Sequence, residues 1–66
     1  MKIQVNGEDW QVESPATIEQ VLARLNPGGG SVAVVVNDIV IPAAQRAACA
    51  LKEGDRVEIL TFAGGG

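Results

Sequence analysis

The order of patterns along the chain predicts an α+β fold, a mixed sheet of about five strands with one main helix packed on one of its faces. Three observations predict it. Asn6-Gly7 lies between two short alternating stretches, the strongest short signal for a hairpin. Ile18, Val21, Leu22 and Leu25 fall at i, i+3, i+4 and i+7 and make one apolar helical stripe. Arg56–Thr61 alternates as a last strand and runs straight into Phe62-Ala63-Gly64-Gly65-Gly66.

Each element has a local reason. Ile3 and Val5 alternate with Lys2, Gln4 and Asn6, and after the turn Trp10 and Val12 alternate with Gln11 and Glu13, so residues 1–13 read as a hairpin with one apolar face. Ser14-Pro15-Ala16 breaks the strand. Thr17-Ile18-Glu19-Gln20 fits a capping box, Thr17 at the N-cap and Gln20 at N3. The stripe then faces the core, with Glu19, Gln20, Ala23 and Arg24 turned away. Asn26-Pro27 stops the helix, and Gly28-Gly29-Gly30-Ser31 reads as a flexible loop. It lacks the spacing of a phosphate-binding loop, and no helix opens behind it.

Val32-Ala33-Val34-Val35-Val36 is a β-branched run expected as a well-buried strand. Asn37-Asp38 reads as a turn, and Ile39-Val40-Ile41 as a return strand that Pro42 ends, which suggests an edge. The Ala-rich residues 43–50 suit a short helix or 3₁₀ turn, with Cys49 as a small buried hydrophobe. Lys52-Glu53-Gly54-Asp55 is a charged tight turn. The last strand, short and apolar, is best placed centrally, parallel to the first. The chain's end would then leave the sheet beside the Asn6-Gly7 turn, and residues 63–66 would reach up to about 14 Å further.

Bulk properties bound the function. Sixty-six residues bury only about 60% of the surface of the unfolded chain, which leaves little room for a deep catalytic cleft. A net charge of −3 disfavours nucleic acid and suits docking on a positively charged protein surface. There is no His, so neither His catalysis nor a His metal site is available, and no metal is expected. A single Cys fits a reducing compartment. No stretch approaches the ~18 apolar residues of a membrane span, and the first residues are no signal peptide. A cytoplasmic chain, monomeric when free, is the expectation. A stand-alone enzyme is poorly supported.

The Gly-rich end has no side chain to pack and presents one reactive group, the α-carboxylate of Gly66. It is either a frayed remnant or the working group of a protein whose folded part is a handle. Leu60 and Phe62 fall on the face of the last strand opposite Val57 and Ile59. Exposed there, with Glu58 flanking them, they make a candidate docking patch; folded over a sheet edge, Phe62 would be core instead.

The element order with its Gly-Gly end resembles the β-grasp fold of ubiquitin-like proteins. More narrowly, the whole chain is similar to the ThiS family of bacterial sulfur carriers. The residues that carry the likeness are Met1-Lys2-Ile3-Gln4-Val5-Asn6-Gly7, Thr17-Ile18, Val34-Val35-Val36-Asn37 with Ile41-Pro42, Leu51-Lys52-Glu53-Gly54-Asp55-Arg56-Val57-Glu58-Ile59 and the final Gly64-Gly65-Gly66. The Gly28–Gly30 loop is not a family mark. The resemblance implies a β-grasp domain over 1–62 and a flexible tail over 63–66. It implies that an adenylyltransferase of the ubiquitin-activating type (ThiF-like), holding ATP and Mg²⁺ itself, adenylates the Gly66 carboxylate. A cysteine desulfurase or other sulfur donor then converts it to a thiocarboxylate. Thiazole synthase (ThiG-like) takes that sulfur for the thiazole of thiamine. Gly65 and Gly64 would be the tail that enters the partners' active sites, and this chain would bind no cofactor of its own. Carriers for molybdopterin synthesis or tRNA thiolation share the Gly-Gly end, as do ubiquitin-like protein modifiers. A plain β-grasp interaction module is a further alternative.

Overall fold

In the computed structural model, residues 1–25 and 31–62 are described. The hairpin forms as β1 (Lys2–Val5) and β2 (Glu8–Gln11). Asn6 and Gly7 both take positive φ, 52° and 84°, the pair of values that a two-residue turn matched to strand twist demands. The Met1 amine donates to the Val12 carbonyl (2.7 Å) and the Val12 N–H to the Met1 carbonyl (2.9 Å), one rung beyond the strands.

Helix α1 spans Ile18–Leu25, and its start is the reciprocal box. Thr17 N–H donates to Gln20 Oε1 at 2.8 Å, and Gln20 N–H to Thr17 Oγ1 at 3.3 Å. Two further N–H groups of the first turn, which no helix can satisfy itself, donate outside it: Ile18 to the Cys49 carbonyl and Glu19 to the Arg46 carbonyl. Residues 43–50 thus finish the helix N-terminus. Their 3₁₀ turn is Ala43–Gln45, and Cys49 is half-buried against the core rather than fully inside it. The helix stop at Asn26-Pro27 and the loop Gly28–Gly30 lie outside the described residues.

Strand β3 is Ser31–Val36, so Ser31 belongs to the strand and not to the loop. β4 is Ile39–Ile41 and β5 is Arg56–Phe62. The sheet order is β2-β1-β5-β3-β4, with β1 and β5 parallel and the other neighbours antiparallel. The last strand is therefore central and β4 is an edge, as expected. The expectation of a well-buried β3 needs correction. Val34 and Val36 are buried, whereas Val32, Ala33 and Val35 are only half-buried. The helix covers one face of the sheet, so an unbroken apolar run still alternates in burial, and Ala33 and Val35 stand on the face without a helix.

The core lies between helix and sheet: Ile18 and Val21 from α1 against Ile3, Val5, Val34, Val36, Val57 and Ile59, closed at the ends by Ala16 and Leu51. Among the described residues no helix is long and apolar enough to cross a membrane.

Candidate functional site

The outlet of β5 is built by what holds that strand on either side. Six residue pairs tie β5 to β3 along its length, from Val36 with Val57 to Ser31 with Phe62. The β1 side is shorter, with pairs only at Gln4–Arg56 and Val5–Val57. Each pairing is extended by an asparagine at the first position of a turn. Asn6 N–H donates to the Val57 carbonyl at 2.9 Å, and the Ile59 N–H donates to Asn6 Oδ1 at 2.8 Å. Asn37 N–H donates to the Arg56 carbonyl at 2.8 Å, and the Arg56 N–H donates to Asn37 Oδ1 at 3.0 Å. The left-handed backbone of each asparagine swings its own carbonyl off the ladder, and the side-chain carbonyl stands in for it.

The start of β5 is further fixed by Asp55, which the sequence left in a charged surface turn. It is only 7% exposed. Its carboxylate accepts from the Lys52 N–H (2.7 Å) and from Asn37 Nδ2 (2.9 Å), and Gly54 at φ 85° lets the chain turn into it. These bonds satisfy a carboxylate that would otherwise be costly to bury. The signal in the sequence was the Gly-Asp pair itself, an acceptor directly after an αL glycine.

The open face of β5 carries Arg56, Glu58, Leu60 and Phe62. Val57 and Ile59 are buried on the other face. Leu60 is 50% and Phe62 54% exposed, so Phe62 does not fold into the core. The cross-strand register sets Ala33 beside Leu60 and Val35 beside Glu58. It also sets Val40 beside Val35, and Val40 is itself exposed. The result is an apolar band running from the edge strand to the end of β5. Beside it lies an open depression of about 420 Å³ lined by Gln4, Asn6, Gly7, Arg56, Val57, Glu58 and Leu60. Arg56 bonds Asp38 at 3.3 Å with both side chains largely in water, a pair of little energetic weight. Gly64, Gly65 and Gly66 lie outside the described residues. They follow Phe62 by two, three and four positions.

A larger concavity of about 510 Å³ lies between β2 and α1. Arg24 occupies its wall, 4.5 Å from the Trp10 ring centroid and donating to the Gln11 carbonyl at 3.0 Å. None of the residues that line it belongs to β5, and its one cation is already committed.

The comparisons with known proteins agree with this geometry. The model of the ThiS family matches residues 3–66. The crystal structure of the thiamine biosynthesis protein ThiS from Geobacter metallireducens superposes with a TM-score of 0.81, at 32% identity over the whole of both chains. Its solution structure superposes with a TM-score of 0.78, covering all of this chain and 88% of that one. A thiazole synthase of Paramagnetospirillum magneticum is 36% identical over 66 residues, all of this chain and 20% of that protein, so the chain spans about a fifth of that relative. An uncharacterized ycf40 protein of Pyropia yezoensis is 33% identical over all of this chain and 93% of its own length. A parallel β1–β5 pair delivering a Gly-rich end, and a family match over almost every residue, lead to one assignment: the chain belongs to the ThiS family.

Proposed function

We propose that the chain is a sulfur carrier of thiamine biosynthesis and that Gly66 carries the sulfur. A carboxylate is a poor electrophile. A ThiF-like adenylyltransferase, bringing its own ATP and Mg²⁺, joins the Gly66 carboxylate to AMP and releases pyrophosphate. A persulfide from a cysteine desulfurase or another donor then attacks the acyl carbon, and AMP leaves. A thiol supplies the two electrons that split the sulfur–sulfur bond and leave the thiocarboxylate. A ThiG-like thiazole synthase consumes it. The folded domain contributes a handle and an outlet, and Gly64 and Gly65 carry the end into the partners' sites. The observation that best supports this reading is the central position of β5, paired with β1 at its start and with β3 as far as Phe62, the residue before the tail. The two thiazole synthases that match the whole chain, at 36% and 38% identity, favour the thiamine pathway over other sulfur-transfer pathways.

The test is intact-protein mass spectrometry after incubation with ATP, a ThiF-like enzyme and a sulfur donor. Replacement of one oxygen by sulfur in the C-terminal peptide is expected. An unchanged mass, with the enzymes active on another carrier, rejects the proposal. An isopeptide adduct on other proteins would show a ubiquitin-like modifier instead.

Leu60, Phe62 and Glu58 are the proposed docking residues. Phe62→Ala should weaken binding to the adenylyltransferase by tens of fold, as expected when about 2 kcal/mol is lost from an aromatic anchor. Its melting should change little, since the ring is more than half exposed. Titration calorimetry with the partner, beside a thermal melt, checks both halves. Unchanged affinity would remove Phe62 from the patch.

A further inference from the structure

We propose that Asn6 is a positioning residue for the reacting end of the chain, a role that rests on the sulfur-carrier reading. β1 leaves β5 after Val57, because the hairpin must turn at Asn6-Gly7. From there to Phe62 the β5 backbone has a strand neighbour on the β3 side alone among the described residues. The Asn6 side chain takes up the ladder at that point. Its Oδ1 accepts the Ile59 N–H, a contact across 53 positions in sequence. Phe62 follows three residues later, roughly 10 Å further along the strand. The bond to Ile59 is therefore the last tie from the first hairpin before the tail, and together with the β3 pairs that run on to Phe62 it sets the direction in which the strand leaves the sheet. Asparagine meets both demands of the position. It tolerates φ 52°, and it carries an acceptor on a stem short enough to reach the neighbouring strand.

The same device at Asn37 supplies a harsher structural control. It holds the Arg56 N–H, at the far end of β5 from the tail. Asn6→Gly and Asn37→Gly each keep the positive φ and each remove one side-chain acceptor from a β5 amide, and Asn37→Gly also removes the Nδ2 donor to the buried Asp55 carboxylate. A purely structural role therefore makes Asn37→Gly at least as damaging as Asn6→Gly. A positioning role separates them.

The experiment measures ATP–pyrophosphate exchange by a ThiF-like adenylyltransferase on the wild type, Asn6→Gly, Asn6→Asp and Asn37→Gly, with amide hydrogen exchange of the free chains alongside. Asn6→Gly should lower kcat about tenfold to a hundredfold, the scale of a small misplacement of reacting groups. Its KM should move by less than about threefold, because the docking side chains Leu60, Phe62 and Glu58 are all retained. Asn37→Gly should keep the wild-type kcat, and Asn6→Asp, which retains an oxygen acceptor, should restore it. In the free chain, the Ile59 amide should exchange about tenfold faster in Asn6→Gly and not in Asn37→Gly. A loss in Asn37→Gly equal to or greater than that in Asn6→Gly, or an unchanged kcat in Asn6→Gly, overturns the positioning role while the active wild type leaves the carrier reading standing. A wild type that supports no exchange, with the enzyme active on another ThiS, overturns both. Unchanged Ile59 exchange in Asn6→Gly shows that the tether itself does not hold.

Discussion

A chain carrying Gly65→Ala will fold like its parent and be activated at least about a hundredfold more slowly, the scale that a misplaced reacting group reaches. The fold is indifferent because the hydrophobic core lies between Ile3 and Ile59 and the last strand ends at Phe62. On the proposed sulfur-carrier reading activation is not indifferent, because the carboxylate one residue away would have to meet the α-phosphate of ATP inside another protein. Every atom added beside the scissile end has to fit the space between them, and glycine adds none. Position 63 already bears a methyl group, so Ala63→Gly should leave the rate within about threefold, since it removes no contact made in the transition state. The pair of variants thus marks where the close approach begins. Pyrophosphate exchange gives the rate, mass spectrometry the sulfur, and circular dichroism the fold. Wild-type activation of Gly65→Ala would mean that the tail does not thread a narrow site.

Why could so much of this be read before the structure, and some of it not? The hairpin at Asn6-Gly7, the box of Thr17 and Gln20 and the stripe from Ile18 to Leu25 are local. Each is written within a few positions, and each formed as the spacing requires. The edge character of Ile39–Ile41 followed from Pro42. The central, parallel placement of β5 followed from its apolar face and its need of neighbours. What stayed hidden were side chains whose partners are remote. Asp55 reads as one more surface charge until Asn37, 18 positions away, is folded onto it. Asn6 reads as a turn residue because the turn demands one, and nothing nearby shows that its amide also closes a ladder with Ile59. The valine run of β3 misled for a related reason. β-branched residues suit any strand with strand neighbours on both sides, and composition does not say that only one face has a helix over it. The site was legible in the same uneven way. Leu60 and Phe62 could be placed on the open face by alternation alone, whereas the asparagine that aims their strand could not.

The largest loss of stability is expected at Ile18, which is fully buried at the first turn of α1. Ile18→Ala removes three carbons from the contact between helix and sheet, a change that costs about 2–5 kcal/mol. A core in a chain of this size supplies only about 3–5 kcal/mol in total. The variant should therefore melt at least about 10 °C lower, given 4–8 °C per kcal/mol for a domain of this length. A large unfolded fraction is expected at room temperature. Ile18→Val, which trims one methyl, should cost about 0.5–1.5 kcal/mol and stay folded. The loss of activation that follows is of a different kind from that of Gly65→Ala. A partner that binds only the folded chain pulls the equilibrium back by mass action, by about 2.7 kcal/mol at a hundred times its Kd. Raising the adenylyltransferase concentration should thus restore most of the activation of Ile18→Ala and none of that of Gly65→Ala. One variant lacks the handle part of the time, and the other keeps the handle but presents an end that does not fit. Equal rescue of both would mean that the tail and the fold do not act separately, and the division of the chain into a holder and a reacting end would have to be abandoned.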